Sequence, residues 1–195
     1  PEDRSYLASM GIYVFNPDVL VRVLEDKGQL DFGKEIIPAA IEGNRVHSFF
    51  YDGYWEDIGT IRSFYEANLD LCRTDAAFRL DDEDAPIFTH ARMLPPTRCD
   101  GATISQSLIS DGCLIEPGAV IENSVIGLRC RIGRNVTIRN SVLMGADYFQ
   151  SDQERLADEQ SGQPHVGIGE GSYIEGAIVD KNCRIGRNVR ISPKG

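Results

Sequence analysis

The chain has 195 residues, a formal net charge of −10 and an isoelectric point near 4.8, a balance that excludes a nucleic-acid backbone as its main partner. No apolar run approaches twenty residues and no signal peptide is apparent, so the expectation is a soluble, cytoplasmic protein without a membrane partner. Five cysteines, odd in number and without CxxC spacing, argue against both a disulfide framework and a zinc site.

Residues 7–15, LASMGIYVF, form an apolar run suited to a buried strand. Asn16-Pro17 then opens a helix with asparagine as cap and proline at the first position, and Val19, Leu20, Val23 and Leu24 as its apolar face. Leu30-Asp31-Phe32-Gly33 leads into a helix over about 33–42. Arg45 to Tyr51 reads as a strand, Asp52-Gly53 as a turn and Tyr54 to Ile58 as the returning strand. Thr60 caps a last helix with Ile61, Phe64, Tyr65, Leu69 and Cys72 on one side. Residues 1–74 are thus a mixed α/β unit. A linker follows over 75–98, acidic at Asp81 to Asp84 and stiffened by Pro86, Pro95 and Pro96. The start at Pro1, with Ser5 to Phe15 reading as though entered mid-sheet, suggests a piece of a longer protein.

Residues 99–195 carry a repeat. Aliphatic residues recur in steps of five, six and six, at Ile104, Ile109, Ile115, Ile121, Ile126, Ile132, Ile138 and Leu143, then at Ile168, Ile174, Val179, Ile185 and Ile191. A small or slim residue stands two positions before each, Cys113, Cys130 and Cys183 among them, so these cysteines read as core. A seventeen-residue period divided in this way suggests three flat sides and three corners, a triangular β-coil with its aliphatic residues stacked inside. A period averaging between five and six does not keep one face of an α-helix. Spacing predicts a parallel β-helix of hexapeptide type and leaves its handedness open. Residues 147–164 interrupt the period with a polar insertion, read as a surface loop with a helical turn or as a segment that contacts a partner or ligand.

Three sets of residues suggest chemistry. Trp55, the only tryptophan, stands two residues before Asp57; the pair suits a sugar ring and a metal on a phosphate, and equally a core tryptophan and a capping aspartate. Asp31 offers the same choice between polar contact and helix entry. In the repeat, eight of ten Lys and Arg fall in LRCRIGRNVTIR (128–139) and KNCRIGRNVR (181–190), where Arg131 matches Arg184 and Arg134 matches Arg187. Such cations form an anion-binding column or a solvated face balanced by Glu122 and Glu170. His47, His90 and His165 are far apart, and a solvated or packing role is the simpler reading.

SMGIYVF (9–15), DFGKEIIP (31–38), YWEDIGT (54–60), PIFTHARMLPP (86–96), SVIGLRCRIG (124–133), SVLMGADYF (141–149) and IVDKNCRIG (178–186) together resemble ADP-glucose pyrophosphorylase, that is, glucose-1-phosphate adenylyltransferase. The match runs in order over nearly the whole chain, and its linker and VDKN segment look more like the plant, cyanobacterial and related bacterial branch than the enteric one. It implies a fold of α/β plus β: part of a Rossmann-like nucleotidyltransferase domain, then a left-handed parallel β-helix used in allostery and tetramer assembly, homo- or heteromeric. It implies Mg²⁺-dependent formation of ADP-glucose and pyrophosphate from ATP and glucose 1-phosphate, in glycogen or starch synthesis. Carried over by motif, Ser9, Asp31, Phe32 and Trp55 line the glucose 1-phosphate pocket, and Asp57 is one of two metal carboxylates. Arg92 and Lys181 fall where the family binds anionic effectors, with His90 in place of the glutamine of plant relatives; Arg184 joins them from the charge column. No glycine-rich GGxGTRL-type loop occurs in the chain, so by itself it is expected to be inactive. A non-catalytic regulatory subunit of the family is the alternative, and a hexapeptide acyltransferase a more distant one.

Overall fold

The computed structural model describes residues 8–25, 28 and 30–193. They fall into two compact units, Pro1–Asp52 and Gly53–Gly195, each described here by itself. By compactness the chain divides after Asp52.

In the first unit, α1 spans Pro17–Leu24, with the Asn16 side chain accepting from the Asp18 amide. A second helix begins at Asp31, whose carboxylate accepts from the Lys34 amide at 2.9 Å. Glu35 reaches back to the Leu30 and Asp31 amides, so this entry is capped reciprocally. Its first turn, Phe32–Ile36, is a π-turn, and α2 follows over Ile37–Gly43. Pro38 supplies the reason: its ring crowds the carbonyl four residues back, and the widened turn avoids the clash.

The strands expected over 7–15, 45–51 and 54–58 are absent among the described residues, and so is the hairpin at Asp52-Gly53; Leu7 lies outside those residues. The apolar runs are real, but a strand exists only through a ladder, and no partner strand pairs with them. Val14, Phe49 and Phe50 are consequently exposed.

The second unit contains α3 (Ile61–Asp70) and a β-prism. The strands in chain order are β1 (Arg98–Cys99), β2 (Thr103–Ser105), β3 (Leu108–Ile109), β4 (Leu114–Ile115), β5 (Val120–Glu122), β6 (Val125–Ile126) and β7 (Arg131–Ile132). They continue with β8 (Thr137–Arg139), β9 (Val142–Leu143), the insertion helix α4 (Asp152–Ser161), β10 (Gly167–Ile168), β11 (Tyr173–Glu175), β12 (Ile178–Val179), β13 (Arg184–Ile185) and β14 (Arg190–Ile191). All pairings are parallel and build three sheets, β1-β4-β7-β10-β13, β2-β5-β8-β11-β14 and β3-β6-β9-β12. Ile104, Ile121, Ile138, Ile174 and Ile191 lie on one ladder, and Ile109, Ile126, Leu143 and Val179 on another, the register that the spacing predicts. Cys113 and Cys130 are buried inside, with Cys183 packed against the same core.

Two further devices stack the coils. Residues at the corners take the left-handed conformation: Gln106, Asn123, Asn140 and Gly176 at one, and Gly118, Asn135, Gly171 and Asn188 at another. Asparagine and glycine tolerate that geometry best. Inside the first of these corners, the Ser124 and Ser141 hydroxyls each donate to the carbonyl two residues back, at 2.7 Å. Each also accepts an amide from the next coil, from Ser141 at 3.1 Å and Ala177 at 3.3 Å. The Pro95 carbonyl accepts from the Gly112 amide at 2.8 Å and joins the chain before β1 to the first coil.

Helix α3 starts with a Thr60–Ser63 capping box and packs against the prism. Tyr65 donates its phenol to the Asn140 carbonyl at 2.5 Å, and Cys72 is buried, while Ile61 is 81% exposed despite its place on the expected apolar face.

Candidate functional site

Within the first unit, Ser9 shares a 2.9 Å hydrogen bond with the Tyr13 hydroxyl, and the Tyr13 ring stacks on Phe32 with centroids 6.3 Å apart. Phe15 meets Phe32 edge-on at the same separation. Ser9 and Phe32 are therefore joined through Tyr13. Asp31 stands at the same helix entry, where one carboxylate oxygen accepts from the Lys34 amide.

In the second unit, Trp55 is 45% exposed. Asp57 Oδ1 accepts from the Gly59 amide at 2.9 Å, an Asx turn that leads into the Thr60 cap. Its other oxygen has no hydrogen bond or ion pair among the described residues. The helix cap is Thr60 rather than Asp57.

The cations of the prism follow the repeat with one modification. The inserted coil places Gly167 on the rung between Arg131 and Arg184, and Glu170 on the rung between Arg134 and Arg187. The expected column is therefore interrupted. Lys181 donates to Asp147 at 2.8 Å, and Asn182 holds the other oxygen of that carboxylate at 2.9 Å. Lys181 first, then Asn182, keep Asp147 below its ordinary pKa. Arg184 donates to Asp158 at 2.5 Å and to the Pro164 carbonyl at 2.7 Å. Arg92 stands exposed on the irregular segment, donating only to the His90 carbonyl at 3.4 Å, and no bond joins it to Lys181 or Arg184 among the described residues. Elsewhere Arg139 pairs with Glu122 at 2.8 Å, and Arg190 lies over the Tyr173 ring at 4.3 Å.

Residues 92–195 match the model of the GLGC left-handed parallel beta-helix domain, more than half of the chain. The chain belongs to that family. Its prism is therefore left-handed, against the usual preference for right-handed crossovers. Residues 1–74 match the nucleotidyl transferase model, so the two matches together mark a nucleotidyltransferase of the GlgC type. Helix α3 falls in the nucleotidyl transferase match, yet it packs on the β-helix of the GlgC-type chain. No helix among the described residues is long and apolar enough to cross a membrane.

In the GlgC-type prism the insertion, read from sequence as a surface loop with a helical turn, carries a ten-residue helix. The insertion folds as α4, closed by a Ser151–Glu154 capping box and by left-handed Gly162. Its Asp158 is 8% exposed and gathers Arg184, Gln150 and the His165 ring, the last at 3.5 Å. The motif Ser-x-x-Glu, eight residues before a glycine, was the available signal. Between α4 and the β4-β7-β10-β13 sheet lies a cleft of about 650 Å³.

Proposed function

We propose that the chain serves glucose-1-phosphate adenylyltransferase, as its C-terminal portion, in the Mg²⁺-dependent synthesis of ADP-glucose and pyrophosphate from ATP and glucose 1-phosphate. The observation that carries this reading is YWEDIGT in a chain with both family matches: an exposed indole two residues from a carboxylate with one open oxygen. In this reading the Trp55 face covers the sugar ring. The Asx turn holds the Asp57 carboxylate in one orientation, so it meets the sugar-phosphate complex without reorganising. Among the described residues no cluster of three acids, histidines or cysteines holds a metal by itself. Mg²⁺ takes one or two carboxylates and completes its shell with water and substrate phosphates, and Asp57 would supply one of those carboxylates. When bound, the ion neutralises phosphate charge in the in-line displacement. Ser9, Asp31 and Phe32 enter as sugar-phosphate contacts on resemblance, with Asp31 already engaged as a cap.

The regulatory part of the proposal assigns an anionic effector to Arg92 and Lys181. Asp147 then acts as an internal anion that the effector displaces from Lys181. Arg184, committed to Asp158, holds the insertion helix in place. Tetramer assembly, homo- or heteromeric, a cytoplasmic setting and the plant-like branch belong to the same reading; Ile104 in the first coil is 37% exposed, an uncovered prism end suited to association.

The test uses Trp55, the one tryptophan of this chain, as a reporter, with Trp55→Phe marking its share of the emission. Glucose 1-phosphate added to the enzyme carrying this chain should protect Trp55 from acrylamide quenching. Asp57→Asn should lower kcat for ADP-glucose synthesis by about a hundredfold or more while leaving KM for glucose 1-phosphate within a few-fold. Unprotected Trp55 together with an active Asp57→Asn enzyme would overturn the assignment.

A further inference from the structure

The cleft between α4 and the prism is built around two facing guanidiniums. Arg131 comes from β7 and Arg155 from the second turn of α4, and both line the cleft. Neither has an ion pair among the described residues, and the Arg155 Nε is buried without a hydrogen-bond partner. Two half-buried cations brought together repel each other, and at Arg131 the nearby Glu116 and Asp152 offset this only in part, so an anion between the guanidiniums would be favoured. Burial first and the Arg155 charge second make the Arg131 guanidinium less basic than an ordinary arginine, with Glu116 and Asp152 opposing them.

The rest of the wall suits a small ligand. Gly133, Gly169 and Gly186, successive rungs of the same ladder, line the cleft with backbone and no side chains. Glu116 and Glu170 stand on the prism side as hydrogen-bond acceptors, and Glu159 is occupied by the His165 ring at 3.2 Å. An oxyanion at the arginines and hydroxyls toward the free glutamates is the complementary pattern, and the glutamates disfavour a ligand charged at both ends.

We infer that the cleft between Arg131 and Arg155 is a binding site for a small phosphate monoester with a hydroxyl-bearing body. It is separate from the effector site assigned to Arg92 and Lys181 and does not rest on that reading. Because α4 forms one wall, the ligand would tie the insertion helix to the prism.

The probes are inorganic phosphate and glycerol 3-phosphate, titrated calorimetrically into the full chain as wild type, Arg131→Gln, Arg155→Gln and the double variant Arg92→Ala/Lys181→Ala. Saturable binding of both probes is expected, tighter for glycerol 3-phosphate. It should weaken about tenfold or more in each cleft variant, in keeping with loss of one charge-assisted contact, and persist in the double variant. Amide exchange across 152–161 in wild type supplies a readout independent of whether a variant folds, and either probe should slow it. Absence of saturable binding, or binding lost only in the double variant, or α4 exchange indifferent to both probes, would overturn the inference.

Discussion

Arg184 of β13 and Asp158 of α4 meet across 2.5 Å and fasten a polar insertion to a repeat that would otherwise run past it. Asp158→Asn should therefore release the helix before it affects the prism. Amide exchange over 152–161 should accelerate by an order of magnitude or more while the exchange of β5 and β8 stays unchanged. Uniform acceleration throughout would show that the insertion is not a separate unit.

The same pair sets a pH dependence. Arg184 above all, then Gln150 and His165, hold the Asp158 carboxyl below its ordinary value, with burial opposing them. A carboxylate depressed in the folded state contributes stability in full above its unfolded pKa of about 3.9, and that contribution is lost as pH falls through the lower folded value. Helix α4 should stay protected at pH 5 and loosen only well below pH 4, as followed by amide exchange at matched intrinsic rates. Loosening already near pH 6 would show that Asp158 is not the controlling group.

Ile138 is fully buried between Ile121 and Ile174 on one ladder. Ile138→Ala should cost about 2–5 kcal/mol, a transfer loss plus a cavity that rigid neighbouring coils cannot close. Ile191, only partly buried in the last strand, should cost clearly less. Urea denaturation of both variants decides the comparison.

Ser141 tests the stacking device. Its hydroxyl bonds the Arg139 carbonyl and the Ala177 amide in adjacent coils, so Ser141→Ala leaves a buried donor and acceptor with lost partners. The expected cost is about 1–3 kcal/mol, read in the same denaturation experiment. The more exposed Ser107 should cost less.

Lys181 and Asp147 bear on regulation. If Asp147 stands in for the effector, Asp147→Ala should tighten effector binding several-fold by freeing Lys181, and Lys181→Met should abolish the difference. Phosphate titration of the three proteins measures it; equal affinities would detach Asp147 from the site.

Much was legible in residue order, and for a definite reason. A parallel β-helix repeats one local rule, an inward aliphatic every five or six residues with a small neighbour two before it, so periodicity alone determined three sides, the register of Ile104 through Ile191 and the burial of Cys113 and Cys130. Helix entries at Asn16, Asp31 and Thr60 were equally local, since a cap needs only residues within one turn. The strands expected at 7–15 and 45–58 did not form, because an apolar run becomes a strand only by hydrogen bonding to another segment, and no local pattern supplies one. The tertiary structure alone decided the rest: α3 against Asn140, Lys181 against Asp147, Arg184 against Asp158 and Arg131 facing Arg155. Each of these pairs joins residues between 24 and 75 positions apart across an inserted or flanking element. Charge and spacing name the partners available, but only the packed position of α4 and α3 determines which of them meet.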